Sequence, residues 1–215
     1  MAFLQSIYRF LFGKDYESVW RQFASETKGT YSYELNHKVQ LKVEDFPVSI
    51  EAHIEYITSG SSTYEFEFSR GIAEYVSSEN FYLLVTKQGL IENVNKLFGA
   101  QDIKTGDGQF DKKFMIKSND ENKTRNFLSN DFFRQMLMEN KILRLEITDK
   151  DGLFGEKPKI GNTMIYYAID EKIRQVVQLH TMRAVLYAAL KALQKLNLIK
   201  SEDVATQPAN QKTPT

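Results

Sequence analysis

The stretch KVQLKVEDFPVSIEAHIEYITSGSSTYEFEFS, Lys38 to Ser69, decides the fold class. Its period is two. Val39, Leu41 and Val43 alternate with Lys38, Gln40 and Lys42, and Val48, Ile50, Ala52, Ile54 and Tyr56 resume the alternation after Phe46-Pro47. A strand with one apolar and one wet face reads this way. Thr58-Ser59-Gly60-Ser61-Ser62 is a turn signal. Beyond it Tyr64, Phe66 and Phe68 share one side, with Glu65, Glu67 and Ser69 on the other. The stretch predicts an antiparallel meander, with Thr30 to Leu35 as a further strand before it.

Outward from this core the period changes to that of a helix. Tyr16, Val19, Trp20, Phe23 and Ala24 form one apolar stripe, predicting a helix over Tyr16 to Thr27. Asp15 is placed to cap it and Gly29 to stop it. Phe81 to Thr86 reads as a strand buried on both faces, and about Gly89 to Leu97 as a short helix. Lys113 to Lys117 is a short strand. Asp120 or Asn119 can cap a helix reaching Leu128, and Asn130 one reaching Glu139. Leu143, Leu145 and Ile147 mark another strand, Asp149 to Gly152 a tight turn, and Met164 to Ile169 the last strand. The longest helix is predicted from Glu171 to about Leu198, capped by Asp170. Ile173, Val176, Val177, His180, Ala184, Tyr187 and Ala188 make one apolar stripe on it, and Leu179, Met182, Leu186, Leu190 and Leu193 a second. So wide an apolar surface calls for a sheet beneath and a second element, or a second subunit, alongside. The expected fold is α+β: a twisted antiparallel sheet packed against an N-terminal helix and a long C-terminal helix. Residues 15–199 form this single domain, 1–14 an apolar lead segment, and 200–215 a polar, disordered tail.

Composition narrows the chemistry. Of 215 residues, 42% are hydrophobic and 26% charged, the balance of a globular chain. The 28 basic and 28 acidic residues cancel, which removes the global charge of a duplex nucleic-acid binder. The basic cluster Lys112, Lys113, Lys117, Lys123 and Arg125 is diluted by Asp111, Asp120 and Glu121, so nucleic acid is not an expected partner. Cysteine is absent, which excludes disulfides, thiolate nucleophiles and zinc–cysteine sites. Phe3, Leu4, Ile7, Tyr8 and Leu11 fall on one helical face of the lead segment. They predict packing on the domain or on a second copy, or contact with a membrane surface. The expected location is cytoplasmic, with membrane association on the inner face through these residues.

The stretch TGDGQFDKKFMIKSND, Thr105 to Asp120, is the densest candidate for a site. Gly106 and Gly108 stand too close together for a phosphate loop and are predicted to lead into a strand rather than a helix. A calcium loop starting at Asp102 would put Lys104 and Gly106 where oxygens belong, and one starting at Asp149 would put Leu153 there. His37, His53 and His180 show no metal-ligand spacing, so neither a metal nor another cofactor is expected. Asp107 and Asp111 could converge for acid–base work. Their simpler role is to accept backbone N–H bonds in a turn, while Phe110 and Phe114 enter the core.

The segment Gln101 to Asp120 resembles the signature D-I-x-[TI]-G-D-x-x-F-D-x-x-F of a family of uncharacterised bacterial proteins. The likeness extends to a W-x-x-[FL]-A helix, here Trp20 to Ala24, and covers about residues 16–148. The resemblance implies no activity. Some similar proteins carry membrane-spanning segments beside this domain, and this chain differs in having only its short apolar start.

Two functional expectations follow. The first is a non-catalytic binding or protein-interaction module, dimeric or partnered through its N- or C-terminal helix. The second is a hydrolase or isomerase using Asp107, Asp111 or His180, or a carrier holding an apolar ligand in a cavity under the C-terminal helix.

Overall fold

The computed structural model describes residues 16–60, 62–88, 102–152 and 155–200. The helix expected near Gly89 to Leu97, the Asp15 cap, the lead segment and the tail beyond Lys200 lie outside the described residues.

The Lys38–Ser69 stretch builds the sheet's first half. Strands β1 (Thr30–Tyr33), β2 (His37–Val43), β3 (Phe46–Ser59) and β4 (Ser62–Tyr75) form an antiparallel meander. The second half comprises β5 (Leu83–Lys87), β6 (Phe114–Ser118), β7 (Ile142–Thr148) and β8 (Thr163–Ile169). All eight strands join one antiparallel sheet in the order β1-β2-β3-β4-β8-β7-β5-β6. β8 sits at the centre, and its seven residues are all buried. β3 and β4 are 14 residues each, longer than their neighbours, so their shared turn extends past the body of the sheet.

Every second residue of β2, β3, β4 and β8 points to one face, and that face is apolar. Val39, Ile50, Ala73, Ile165 and Tyr167 lie on it, at most 0% exposed. Five helices lie among the described residues: α1 (Tyr16–Thr27), α2 (Gly108–Lys113), α3 (Glu121–Phe127), α4 (Asp131–Glu139) and α5 (Val176–Lys195). The stripe Val19, Trp20, Phe23 and Ala24 buries α1, and Leu179, Met182, Leu186, Leu190 and Leu193 bury α5, in the same core. The seat of α5 is tight: a Cβ on Gly71 of β4 would stand 2.8 Å from Leu186 Cδ1. A side chain there would make Leu186 shift, so glycine suits this close approach of helix and sheet.

Four expectations are corrected. Gly106 and Gly108 lead into a helix, α2, capped by Asp107; six residues are too few for apolar periodicity to reveal it. The last helix begins at Val176 and ends at Lys195, five residues after and three before the expected bounds. Asp170 does not cap it: the Asp170 amide donates to Lys141 O and Ser69 Oγ donates to Glu171 O. Gln175 takes the N-cap position instead, and the Gln178 side chain accepts from its N–H at 2.9 Å. At the end of α1 the left-handed residue is Lys28, at φ 54°, and Gly29 follows, its N–H donating to Ala24 O at 2.8 Å. Gly29 is glycine because a Cβ there would stand 2.8 Å from Gln40 O. Finally, the second face of the sheet is not simply wet. Phe68, Met164, Tyr166 and Ala168 form a small second core there. The β7–β8 connection folds onto it, with Gly152 so close to Met164 and Tyr166 that a Cβ would meet Met164 Cε at 2.8 Å.

Candidate functional site

The Thr105–Asp120 motif is a fastening. Asp107 Oδ1 accepts from the amides of Gln109 (3.0 Å) and Phe110 (3.1 Å), capping α2. The Phe110 amide foremost, and Arg134 with it, hold the Asp107 carboxyl below the usual aspartate range. Asp111 accepts from Thr105 N (2.8 Å), Thr105 Oγ1 (2.8 Å) and Gly106 N (3.1 Å), closing the loop on itself. Gly106, at φ 92°, takes the left-handed conformation this closure requires. Phe110 and Phe114 are fully buried, their rings 4.8 Å apart.

The motif also reaches outward, which sequence reasoning missed. The second oxygen of Asp107 accepts from Arg134 Nε of α4 at 3.2 Å. Arg134 donates as well to Leu128 O and Asp131. Lys113, at the end of α2, donates to Met138 O at the far end of α4. Both ends of α4 are thereby fixed by a six-residue helix that is itself anchored by two phenylalanines. An Asp and an Arg 27 residues apart carry no local sequence signal, so only the folded chain pairs them.

The wall so positioned bounds a cleft. It opens between α4, the α3–α4 corner and the outer flank of α5, with a volume of about 320 Å³. Phe127, Phe133 and Met136 form one wall and Ala184, Ala188 and Ala192 the other. The alanines recur every four residues, one per helical turn, so α5 presents a shallow smooth groove. Phe132 (68% exposed) and Tyr187 (43%) stand at its mouth. Lys191 and Lys195 line the α5 edge, while Asn126, Ser129 and Asn130 line the other. The opening lies beside the long helix rather than beneath it. Ala184, Tyr187 and Ala188 belong to the apolar stripe of α5 that the sheet does not use.

His180 shares that stripe one turn before Ala184, and α1 takes it up. Its Nε2 pairs with Glu26 of α1 at 2.7 Å, and its ring packs edge-on to Phe23 at 5.1 Å. The structure does not bring His180 together with Asp107 or Asp111: it contacts α1, whereas they contact their own loop and α4. His37 and His53 are on β2 and β3, each engaged with neighbouring side chains.

A second gathering of polar groups lies on the other face of the sheet. Lys38, Glu51 and Arg70 stand side by side across β2, β3 and β4. Arg70 Nε donates to Glu51 at 2.6 Å, and its guanidinium also pairs with Glu156 from the β7–β8 connection. Arg144 and Glu146 of β7 pair at 2.7 Å nearby; burial pushes the Glu146 carboxyl up, with Arg144 opposing. The Tyr166 hydroxyl lies buried near these charges, and burial raises its pKa. Donor atoms of Glu51, His53 and Glu156 lie within 4.8 Å of one another. A cation there would have to displace the Arg70 guanidinium, which already compensates both carboxylates. The cluster is therefore a closed ion network in this structure.

No protein-family model matches the chain. No curated protein matches it either. Among solved structures the chain is similar to the mycobacterial trehalose monomycolate transport factor A, TtfA, with a TM-score of 0.52 and 10% identity. The alignment covers 86% of this chain and 98% of that one. At this identity the likeness shows the fold alone: the two chains share an architecture. No described helix is long and apolar enough to cross a membrane.

Proposed function

We propose that this chain is a non-catalytic binding module whose ligand occupies the cleft between α4 and α5. The observation that carries the reading is the cleft itself: apolar on both walls, open at one side, and held at its α4 wall by the Asp107–Arg134 contact. Its volume sits at the lower end of small-molecule sites, which are apolar with a few polar groups at the rim. Met136 supplies a wall that adapts to ligand shape. The catalytic alternative loses support because the carboxylates of Asp107 and Asp111 are committed to backbone amides, and His180 to Glu26. The structural neighbour is named a trehalose monomycolate transport factor. A shared role in handling apolar molecules agrees with the cleft, and the proposal rests on the cleft.

The test fills it. Ala188→Trp places an indole in the groove. In the full chain, the fluorescent apolar probe 1-N-phenylnaphthylamine is expected to bind the wild type, and to lose about tenfold or more in affinity with the variant. Unchanged thermal unfolding would show that the fold survives. Equal binding by a folded variant would overturn the proposal.

A further inference from the structure

Resting on that reading, we infer that the ligand is an amphiphile with one aliphatic chain and an anionic head, the chain in the α4–α5 cleft and the head at its Lys191–Lys195 edge. Three observations carry it.

The first is charge. The residues lining the cleft include two lysines and no carboxylate among the described residues, although the chain as a whole is neutral. The local field is thus one-sided where the global one is not. Lys191 is partly compensated, pairing with Glu44 at 2.6 Å. Lys195 makes no ion pair among the described residues, one turn further along the same edge. The first turn of α4 adds its partial positive charge at the cleft through Asn130 and Phe133, and Asp131 in that turn is spent on Arg134.

The second is the separation of chemistries. The aromatic and methionine surface lies on the α3–α4 wall, the alanine stripe on α5, and both lysines on one edge of that stripe. A wholly apolar ligand would leave the Lys195 ammonium without an ionic partner at the hydrocarbon edge. An amphiphile satisfies both surfaces at once. The long lysine stems can lie along an aliphatic chain while their ammonium groups meet its head.

The third is size. About 320 Å³ suits a single chain and is small for a partner's helix, which lays a broad apolar face into a long groove.

The experiment displaces 1-N-phenylnaphthylamine from the full chain with dodecanoate and with dodecanol, both below the concentrations at which they aggregate. Dodecanoate is expected to displace the probe at a concentration about fivefold lower, or less, than dodecanol. Lys191→Gln with Lys195→Gln should weaken displacement by dodecanoate about fivefold relative to displacement by dodecanol, so that the preference is lost. Glu44→Gln, which frees Lys191, should sharpen it. Equal displacement by the two ligands in the wild type, or a preference that survives loss of both lysines, overturns the anionic head and leaves the apolar cleft standing. A probe that does not bind, or binds Ala188→Trp equally well, overturns the cleft and this inference with it.

Discussion

The part of α5 that meets α1 and the part that faces α4 end in opposite states. On one, α1 lies against the helix, Phe23 packs on His180, and Glu26 closes the rim. On the other, α4 stands off and a cleft remains between Phe133, Met136 and the alanine stripe. Side-chain volume and anchoring account for the difference. The α1 side presents Phe23, a large ring that is fully buried. The α5 surface toward α4 offers Ala184, Ala188 and Ala192, too small to fill the same gap. Meanwhile α4 is not free to collapse inward, because Asp107 and Lys113 hold its two ends from α2. A helix fastened from behind and facing small residues leaves a void that apolar surface would otherwise close. On the proposed reading, the closed flank is scaffold and the open one holds the ligand.

Truncating the closed flank should give the largest change in stability. Phe23→Ala should cost about 3–5 kcal/mol in chemical denaturation, since a fully buried ring leaves a cavity. The folded fraction should still bind the apolar probe. Loss of binding in step with stability would mean the flanks are not separate.

Loosening the fastening should cost less stability and more binding. Asp111→Ala removes the acceptor of three bonds and should lower stability by about 1–3 kcal/mol. Asp107→Ala should lower the melting temperature and also weaken probe binding, because it frees Arg134 and with it the α4 wall. If Asp107→Ala bound the probe with wild-type affinity, the motif would stabilise the domain without shaping the cleft.

Acid should act on the fastening with the smallest effect. The carboxyls of Asp107 and Asp120 have folded pKa values lowered from 3.8, by the Phe110 and Lys123 amides respectively. A depressed carboxyl contributes stability that is full above its unfolded pKa and lost as pH falls through the folded one. Stability should therefore decline below about pH 4, and part of that decline should vanish in an Asp107→Asn variant.

The sheet was legible because alternation survives wherever one face is buried: Val39, Leu41 and Val43 read as β2 without help. The α1 stripe was legible for the same reason at helical period. The start of α5 was not, because Asp170 has the chemistry of a cap and tertiary partners, Lys141 and Ser69, hold its neighbourhood out of the helix. The capped turn of Asp107 showed in the sequence as a turn, but not as the support of a helix 27 residues on. The surplus apolar stripe of α5 pointed to something beside that helix. Whether α4 filled the gap depended on anchors made by distant residues, and local pattern holds no record of them.

The most direct test of the account is a nitrogen–proton NMR titration of the full chain with dodecanoate. The single tryptophan, Trp20, is buried on the closed flank, so its indole signal serves as an internal control. Shifts confined to residues 126–136 and 184–195, with the Trp20 indole unmoved, are the expected result. Shifts centred on Trp20 and Phe23, or spread evenly over both flanks, would contradict it.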